Sequence, residues 1–477
     1  MDKHALYQYI DGKAADFCRV SDTVWDAAET AFEEKISAEA LCQALEQEGF
    51  AVERGVAGIE TAFLGRFGSG KPVIGFLGEF DALSGLSQKA GVCRPEPITP
   101  GENGHGCGHN MLGVASLAAA AAVKQYLEQT GAPGTVIYFG TPGEEGGSGK
   151  AFMAREGVFD ELDLALTWHP GFHNSVSSGS SLANYQVRYV FSGVSAHAAG
   201  NPHQGRSALD AVELMNIGVQ FLREHIIQEA RIHYAITNTG GFSPNVVQAH
   251  AEVLYLIRAP KTPQVEEIYQ RVNKIAQGAA LMTETELTID FVKACSNVIP
   301  NNALERVLYQ NMRELPPPQY TDEEMAFIRA IAETCKPDLD ALRRKMRGAP
   351  EDEIAAVEGQ LQKPIYDFVL PYAPDASSMS GSTDVGDVSW VCPTAQIYTA
   401  TWAAGTPGHS WQIVAQGKSA QAHKGMLYAG KVMAGAAVDL LQNPDLVQKA
   451  KDEHARRMGG AKYVCPIPAG VKPRKMR

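Results

Sequence analysis

The chain has 477 residues, 45% of them hydrophobic and 20% charged, with a formal net charge of −12. That length supports more than one domain around a large core, and the acidic balance excludes nucleic acid as a partner, because no basic surplus is present to neutralise phosphates. Eight cysteines lie scattered without paired spacing, which predicts free thiols in a reducing compartment, a cytoplasmic protein, and no disulfide framework.

The opening Met1-Asp2-Lys3-His4 does not read as a signal peptide. The longest apolar run, residues 111–123, is too short to span a bilayer, so no membrane partner is expected. Residues 37–48 carry apolar side chains at helical spacing. Residues 72–77 form a short apolar run ending in Gly78-Glu79-Phe80-Asp81, as a buried strand does. The Ala-rich helix over 111–123 follows, with Asn110 as its expected N-cap. Apolar runs at 135–139 and 162–167 end at Pro142-Gly143-Glu144-Glu145 and at His169. Strand alternating with helix predicts an α/β sheet with helices on both faces. Each polar cluster lies just past a strand's carboxyl end, where such sheets place their sites.

The pattern changes near residue 184. A strand at 185–191, a helix at 206–227, strands at 231–237 and 248–258, a helix at 263–282 and a strand at 284–292 give the β-α-β-β-α-β order of a ferredoxin-like sandwich. A candidate ligand, His409, lies beyond this segment, so it reads as an insertion. The expected division is 1–183 for the first part of the catalytic domain, 184–298 for the inserted domain and 299–477 for the second part of the catalytic domain. Residues 316–371 read as charged surface helices with no functional assignment. A strand at 395–399 and a helix at 420–441 close the catalytic domain, and the basic tail Lys472-Pro473-Arg474-Lys475-Met476-Arg477 reads as a solvated terminus.

The chemistry concentrates in Gly104-His105-Gly106-Cys107-Gly108-His109-Asn110 and Pro142-Gly143-Glu144-Glu145-Gly146-Gly147. The first offers a thiolate and an imidazole with one residue between them, and the second offers adjacent carboxylates. With His169 in Trp168-His169-Pro170 and His409 in Gly408-His409-Ser410, the set is Cys, His, Glu, His, His and one spare Glu. Five such donors suit two divalent transition ions, and a spare glutamate suits a proton shuttle in a metal-assisted hydrolase. Each pair alone also reads blandly, as a buried thiol or a solvated acidic face. Burying two carboxylates in a Gly-flanked loop without a cation is costly, which favours the metal reading. His105, His173, His203 and His423 are taken as structural. Asp81 either orients a ligand histidine or caps a turn.

These motifs, together with Ser195-Ala196-His197-Ala198 and Gly405-Thr406-Pro407-Gly408-His409, resemble those of the M20 metallopeptidases, in particular the amidohydrolase subfamily with a cysteine ligand. The resemblance runs nearly the whole chain. It implies a zinc-peptidase-like catalytic domain with a mixed sheet, plus an inserted dimerisation or lid domain. It implies that Cys107 bridges two ions, manganese or zinc, that His109, Glu145, His169 and His409 complete the ligands, and that Glu144 is the general base. His197, on its residues alone an ordinary turn histidine, matches the family's oxyanion donor from a partner subunit. Asn245 and Arg258, otherwise a turn Asn and a surface Arg, match the pair that grips the substrate carboxylate. The implied activity is hydrolysis of an N-acyl or N-aryl amino acid, with p-aminobenzoyl-glutamate expected, by a homodimer or a heterodimer with a homologous subunit. The alternatives are another N-acyl amino acid as substrate, or a non-catalytic partner subunit. One departure stands out: most of the subfamily has Asp where this chain has Asn110.

Overall fold

The computed structural model describes residues 1–375 and 381–475. Its strands in chain order are β1 (Ala51–Arg54), β2 (Phe63–Ser69), β3 (Val73–Gly78), β4 (Gly134–Gly140), β5 (Leu164–Gly171), β6 (Ser175–Val176), β7 (Ala183–Ser192), β8 (Arg231–Asn238), β9 (His250–Ala259), β10 (Glu286–Cys295) and β11 (Thr394–Ala400).

One mixed sheet runs β1-β2-β4-β3-β5-β11-β6. Its four central strands, β4, β3, β5 and β11, are mutually parallel, so their carboxyl ends share one edge. β3 and β4 are buried along their whole length, which is why both read as unbroken apolar runs without alternation. Helices Lys3–Gly12, Ala14–Ala27, His109–Thr130 and Ala420–Gln442 pack with one face of this sheet into a continuous core. The Ala-rich helix is buried nearly all round, as a helix apolar on every side must be.

Asn110 does not cap that helix. Gly108, at φ +75°, takes the N-cap position, and the helix begins at His109. A side chain at Gly108 would strike Trp402 and Pro170 as well as strain the backbone. Asn110, fully buried, donates from Nδ2 to the Gly417 carbonyl (3.2 Å) and to Ser21 Oγ (3.0 Å). The Gly417 contact requires a donor, which explains an amide where a carboxylate would face a carbonyl oxygen.

The second sheet is antiparallel, ordered β10-β7-β9-β8, with β8 at its edge. Helices Ala208–Leu222 and Thr262–Thr283 pack against it. This is the ferredoxin-like sandwich expected from the sequence. The fold is thus an α/β catalytic unit with a lid. The segment 316–371 forms helices Asp322–Ala332, Leu339–Lys345 and Glu351–Glu358, with small cores of its own. The basic tail is tied down: Arg474 pairs with Asp290 (2.8 Å) and Lys475 with Glu33, while Met476 and Arg477 lie outside the described residues.

Candidate metal centre

The parallel strands deliver the site. Glu79-Phe80-Asp81 follows β3, Glu144 and Glu145 follow β4, and Cys107 precedes the helix that starts at His109. His169 lies within β5, which runs on past it to Gly171 and so is longer than its apolar run suggests. His409 sits in the loop after β11 with φ +52°, a left-handed backbone held by its N–H to the Gly106 carbonyl (3.2 Å). A non-glycine residue in that region is held there by its surroundings, as is common at functional sites. Gly143 supplies the φ of +68° that turns the chain into Glu144.

Ligand atoms of Cys107, His109 and His169 lie within 4.8 Å of one another, and so do those of Cys107, Glu145 and His409. The two groups share one sulfur. Cys107 Sγ is 3.4 Å from His169 Nε2, and Glu145 Oε1 is 3.1 Å from His409 Nε2. Yet Glu145 Oε1 and His109 Nε2 are buried without an aligned hydrogen-bond partner. Each is thus left free to bind a further group, one in each set of donors.

Asp81 holds the site from behind. Its Oδ1 is 3.0 Å from His109 Nδ1 and its Oδ2 accepts from the Glu145 N–H (2.9 Å). That leaves His109 Nε2 facing the cluster; a ligand histidine commonly has its other ring nitrogen held by a carboxylate in this way. His105 instead meets the Val24 carbonyl (2.9 Å), and His423 meets Asp22 (3.0 Å), away from the cluster.

Three residues of the site carry no signal that the sequence reading used. Glu79 Oε2 lies 3.3 Å from His109 Nε2, and Glu79 forms a third group with His109 and Glu144. Lys150, with no exposed surface, bridges Glu79 (2.6 Å) and Asp384 (2.6 Å). Glu79 could have been flagged by its place beside Asp81. Lys150 and Asp384 are 234 residues apart, and no local pattern pairs them.

The electrostatics demand a cation. Five carboxylates (Glu79, Asp81, Glu144, Glu145, Asp384) and a thiol crowd the cleft. Among the described residues the one permanent cation in a salt bridge with any of these carboxylates is Lys150, while Lys293 donates to the Glu145 carbonyl (2.9 Å). Burial, then Glu145, drives the Cys107 thiol well above its ordinary pKa. Burial, then Glu79, Glu145 and Asp384, does the same to Glu144. Burial alone would lower the His109 pKa, but Cys107 and Asp81 hold it well above the usual value. Burial, with His109 adding to it, takes His169 down to about 4, so its ring is neutral and free to ligate. Thiol, imidazole and carboxylate together fit divalent transition ions.

The lid residues have other partners. His197 and Asn245 sit together: the Ala198 N–H donates to the Asn245 carbonyl (2.9 Å), and His197 pairs with Val246. His197 is exposed. Its Nδ1 accepts from the Ala199 and Gly200 N–H groups (3.2 and 3.1 Å), so a neutral ring carries its proton on Nε2. Arg258, near the end of β9, donates to Ser382 Oγ (3.2 Å), and its Nε is buried without a partner.

A cleft that gathers thiol, imidazole and carboxylate in two sets around one sulfur, with a further carboxylate beside them, suits a metal-dependent hydrolase. The family model described as peptidase family M20/M25/M40 matches residues 75–403. One of the subunits of p-aminobenzoyl-glutamate hydrolase from Escherichia coli K12 is 51% identical over 99% of each chain. An Xaa-Arg dipeptidase from Mus musculus is 28% identical over 94% of this chain and 91% of its own. In fold, the crystal structure of an aminobenzoyl-glutamate utilization protein from Klebsiella pneumoniae resembles the chain with a TM-score of 0.61, at 16% identity, over 91% of this chain and 98% of that one. The chain belongs to peptidase family M20/M25/M40 and is a hydrolytic enzyme.

Proposed function

We propose that the chain is a two-metal amidohydrolase that cleaves p-aminobenzoyl-glutamate to p-aminobenzoate and glutamate, using manganese or zinc, in the cytoplasm. The observation that carries this reading is the pair of donor groups sharing Cys107, with Glu144 beside them and bound to neither. The relative at 51% identity, named for that substrate, supports the choice of amide.

Cys107, His109 and His169 would hold one ion, and Cys107, Glu145 and His409 the other. When bound, the pair polarises the amide carbonyl, acidifies water and draws down the raised pKa of Glu144. Glu144 accepts a proton at its carboxylate from the attacking water and passes it to the leaving nitrogen. His197, with its proton on Nε2, is a ready donor to the oxyanion. Arg258 offers a planar fork and Asn245 an amide to a substrate carboxylate. A non-catalytic subunit would have no use for Glu144.

We further read residues 1–183 and 299–477 as the catalytic domain and 184–298 as the dimerising lid, with His197 and Asn245 serving the site of the partner subunit, identical or homologous. The exposure of His197, which belongs to none of the donor groups of its own chain, supports this. So do the exposed apolar side chains Leu214, Ile217 and Phe221 on the lid helix and Tyr234 and Ile236 on edge strand β8. The test is p-aminobenzoate release by the purified, manganese-loaded chain given p-aminobenzoyl-glutamate. Release that a chelator abolishes and metal restores supports the reading, and absence of release overturns it.

A further inference from the structure

The segment 316–371, which no step above uses, carries one side chain to the edge of the metal centre. In the register of β5 and β11, Tyr398 is the partner of His169, and their rings lie 5.8 Å apart. On Tyr398 sits Lys345, the last residue of helix Leu339–Lys345, with its Nζ 5.0 Å from the ring centroid. The helix is fixed from below. Leu342 and Met346, on either side of Lys345, are buried in a core that includes Tyr366 and Ala404 and reaches Phe172, three residues beyond His169.

Lys345 has no ion pair among the described residues. Its neighbours in the same basic run are satisfied: Arg343 pairs with Asp340 and Glu358, and Arg344 with Asp338. The residue is exposed as a whole, while protein lies close enough around its ammonium that burial lowers the pKa. Within the described residues the ammonium has the Tyr398 ring beside it and no anion.

We propose that Lys345 binds the second carboxylate of a dicarboxylic amino acid in the substrate, while Arg258 and Asn245 take the first. This rests on the amidohydrolase reading above and gives it a basis for preferring a diacid. Four bonds of an extended glutamyl side chain carry its terminal carboxylate about 5 Å from the scissile nitrogen, and a hydrogen bond adds about 3 Å. Lys345 Nζ lies no further from the His169 ring than the two steps of 5.8 and 5.0 Å laid end to end. A second anion also answers a local need, since among the described residues no carboxylate of the metal centre pairs with Lys345.

The test compares p-aminobenzoyl-glutamate with p-aminobenzoyl-glutamine, which keeps the shape and loses the second charge, on the manganese-loaded protein. Lys345→Met should reduce kcat/KM for the glutamate compound roughly 10- to 100-fold, mainly through KM, as loss of a charged hydrogen bond does. The glutamine compound should be hydrolysed as by wild type, and Lys345→Arg should retain most of the preference. An unchanged ratio between the two substrates in Lys345→Met overturns the proposal, as does an equal loss on both. If wild type hydrolyses neither compound, the amidohydrolase reading fails, and calorimetry with L-glutamate and L-glutamine decides this one separately. A glutamate preference that Lys345→Met abolishes supports the proposal, and no preference, or one the variant keeps, overturns it.

Discussion

Replacing Lys150 with methionine keeps most of the side chain's length and removes the buried cation behind the site. Lys150 Nζ is 2.6 Å from both Glu79 and Asp384, and none of the three side chains is more than 3% exposed. Burial alone would lower the lysine pKa, but Asp384 and Glu79 together hold it above the ordinary range, so the lysine stays charged. The substitution strands two carboxylates. Removing one partner of a buried pair costs about 3–5 kcal/mol, which for a chain of this size is a fall in Tm of roughly 3–5 °C. The assay is thermal unfolding of the chelated protein, so that lost metal does not contribute. Adding Glu79→Gln and Asp384→Asn to Lys150→Met should recover much of the loss, because a network with no charges has nothing left unpaired. A Tm unchanged in Lys150→Met, or not recovered in the triple variant, would refute the reasoning. Metal affinity should fall as well, because Glu79 also abuts His109.

The two adjacent glutamates should separate cleanly. Glu144→Gln should lower kcat about 10²- to 10⁴-fold with metal content retained, and Glu145→Gln should lose metal; the reverse outcome, read by elemental analysis, exchanges their roles. Arg258→Lys keeps the charge and loses the fork, so kcat/KM on an acyl-amino acid should drop by about 1–3 kcal/mol, and an equal drop on a substrate without the carboxylate would make the role structural. Phe221→Asp with Ile217→Asp, at two exposed positions of the lid helix, should yield a monomer that binds metal but is inactive. Sedimentation together with turnover checks this, and an active monomer would remove the need for a donor from the partner.

The sequence is most legible where period and motif coincide. β3 and β4 are buried on both faces, so their apolar runs announce them, and the donors just beyond them fall on the edge that parallel strands share. The lid is readable because β7 and β9 alternate and its helices keep one apolar stripe. The helix predicted over 37–48 stands at Lys35–Gln47, but the two helices before it and the antiparallel β1 and β2 are not readable. β1 is four mostly exposed residues, and β2 begins buried but ends exposed in Gly-Ser, so neither shows a clean period. Asn110 misleads because Ser, Thr, Asp and Asn are the usual caps, whereas here the tight turn at Gly108 takes that position. Glu79, Lys150, Asp384 and Lys345 acquire meaning only from tertiary neighbours.

The central claim is that one thiolate joins two ions. An anomalous-scattering map of crystals grown with manganese tests it most directly. The account expects two peaks per chain about 3.5–4 Å apart, with Cys107 Sγ between them, His109 and His169 at one and Glu145 and His409 at the other. A single peak, or two peaks with the sulfur bound to neither, would contradict it.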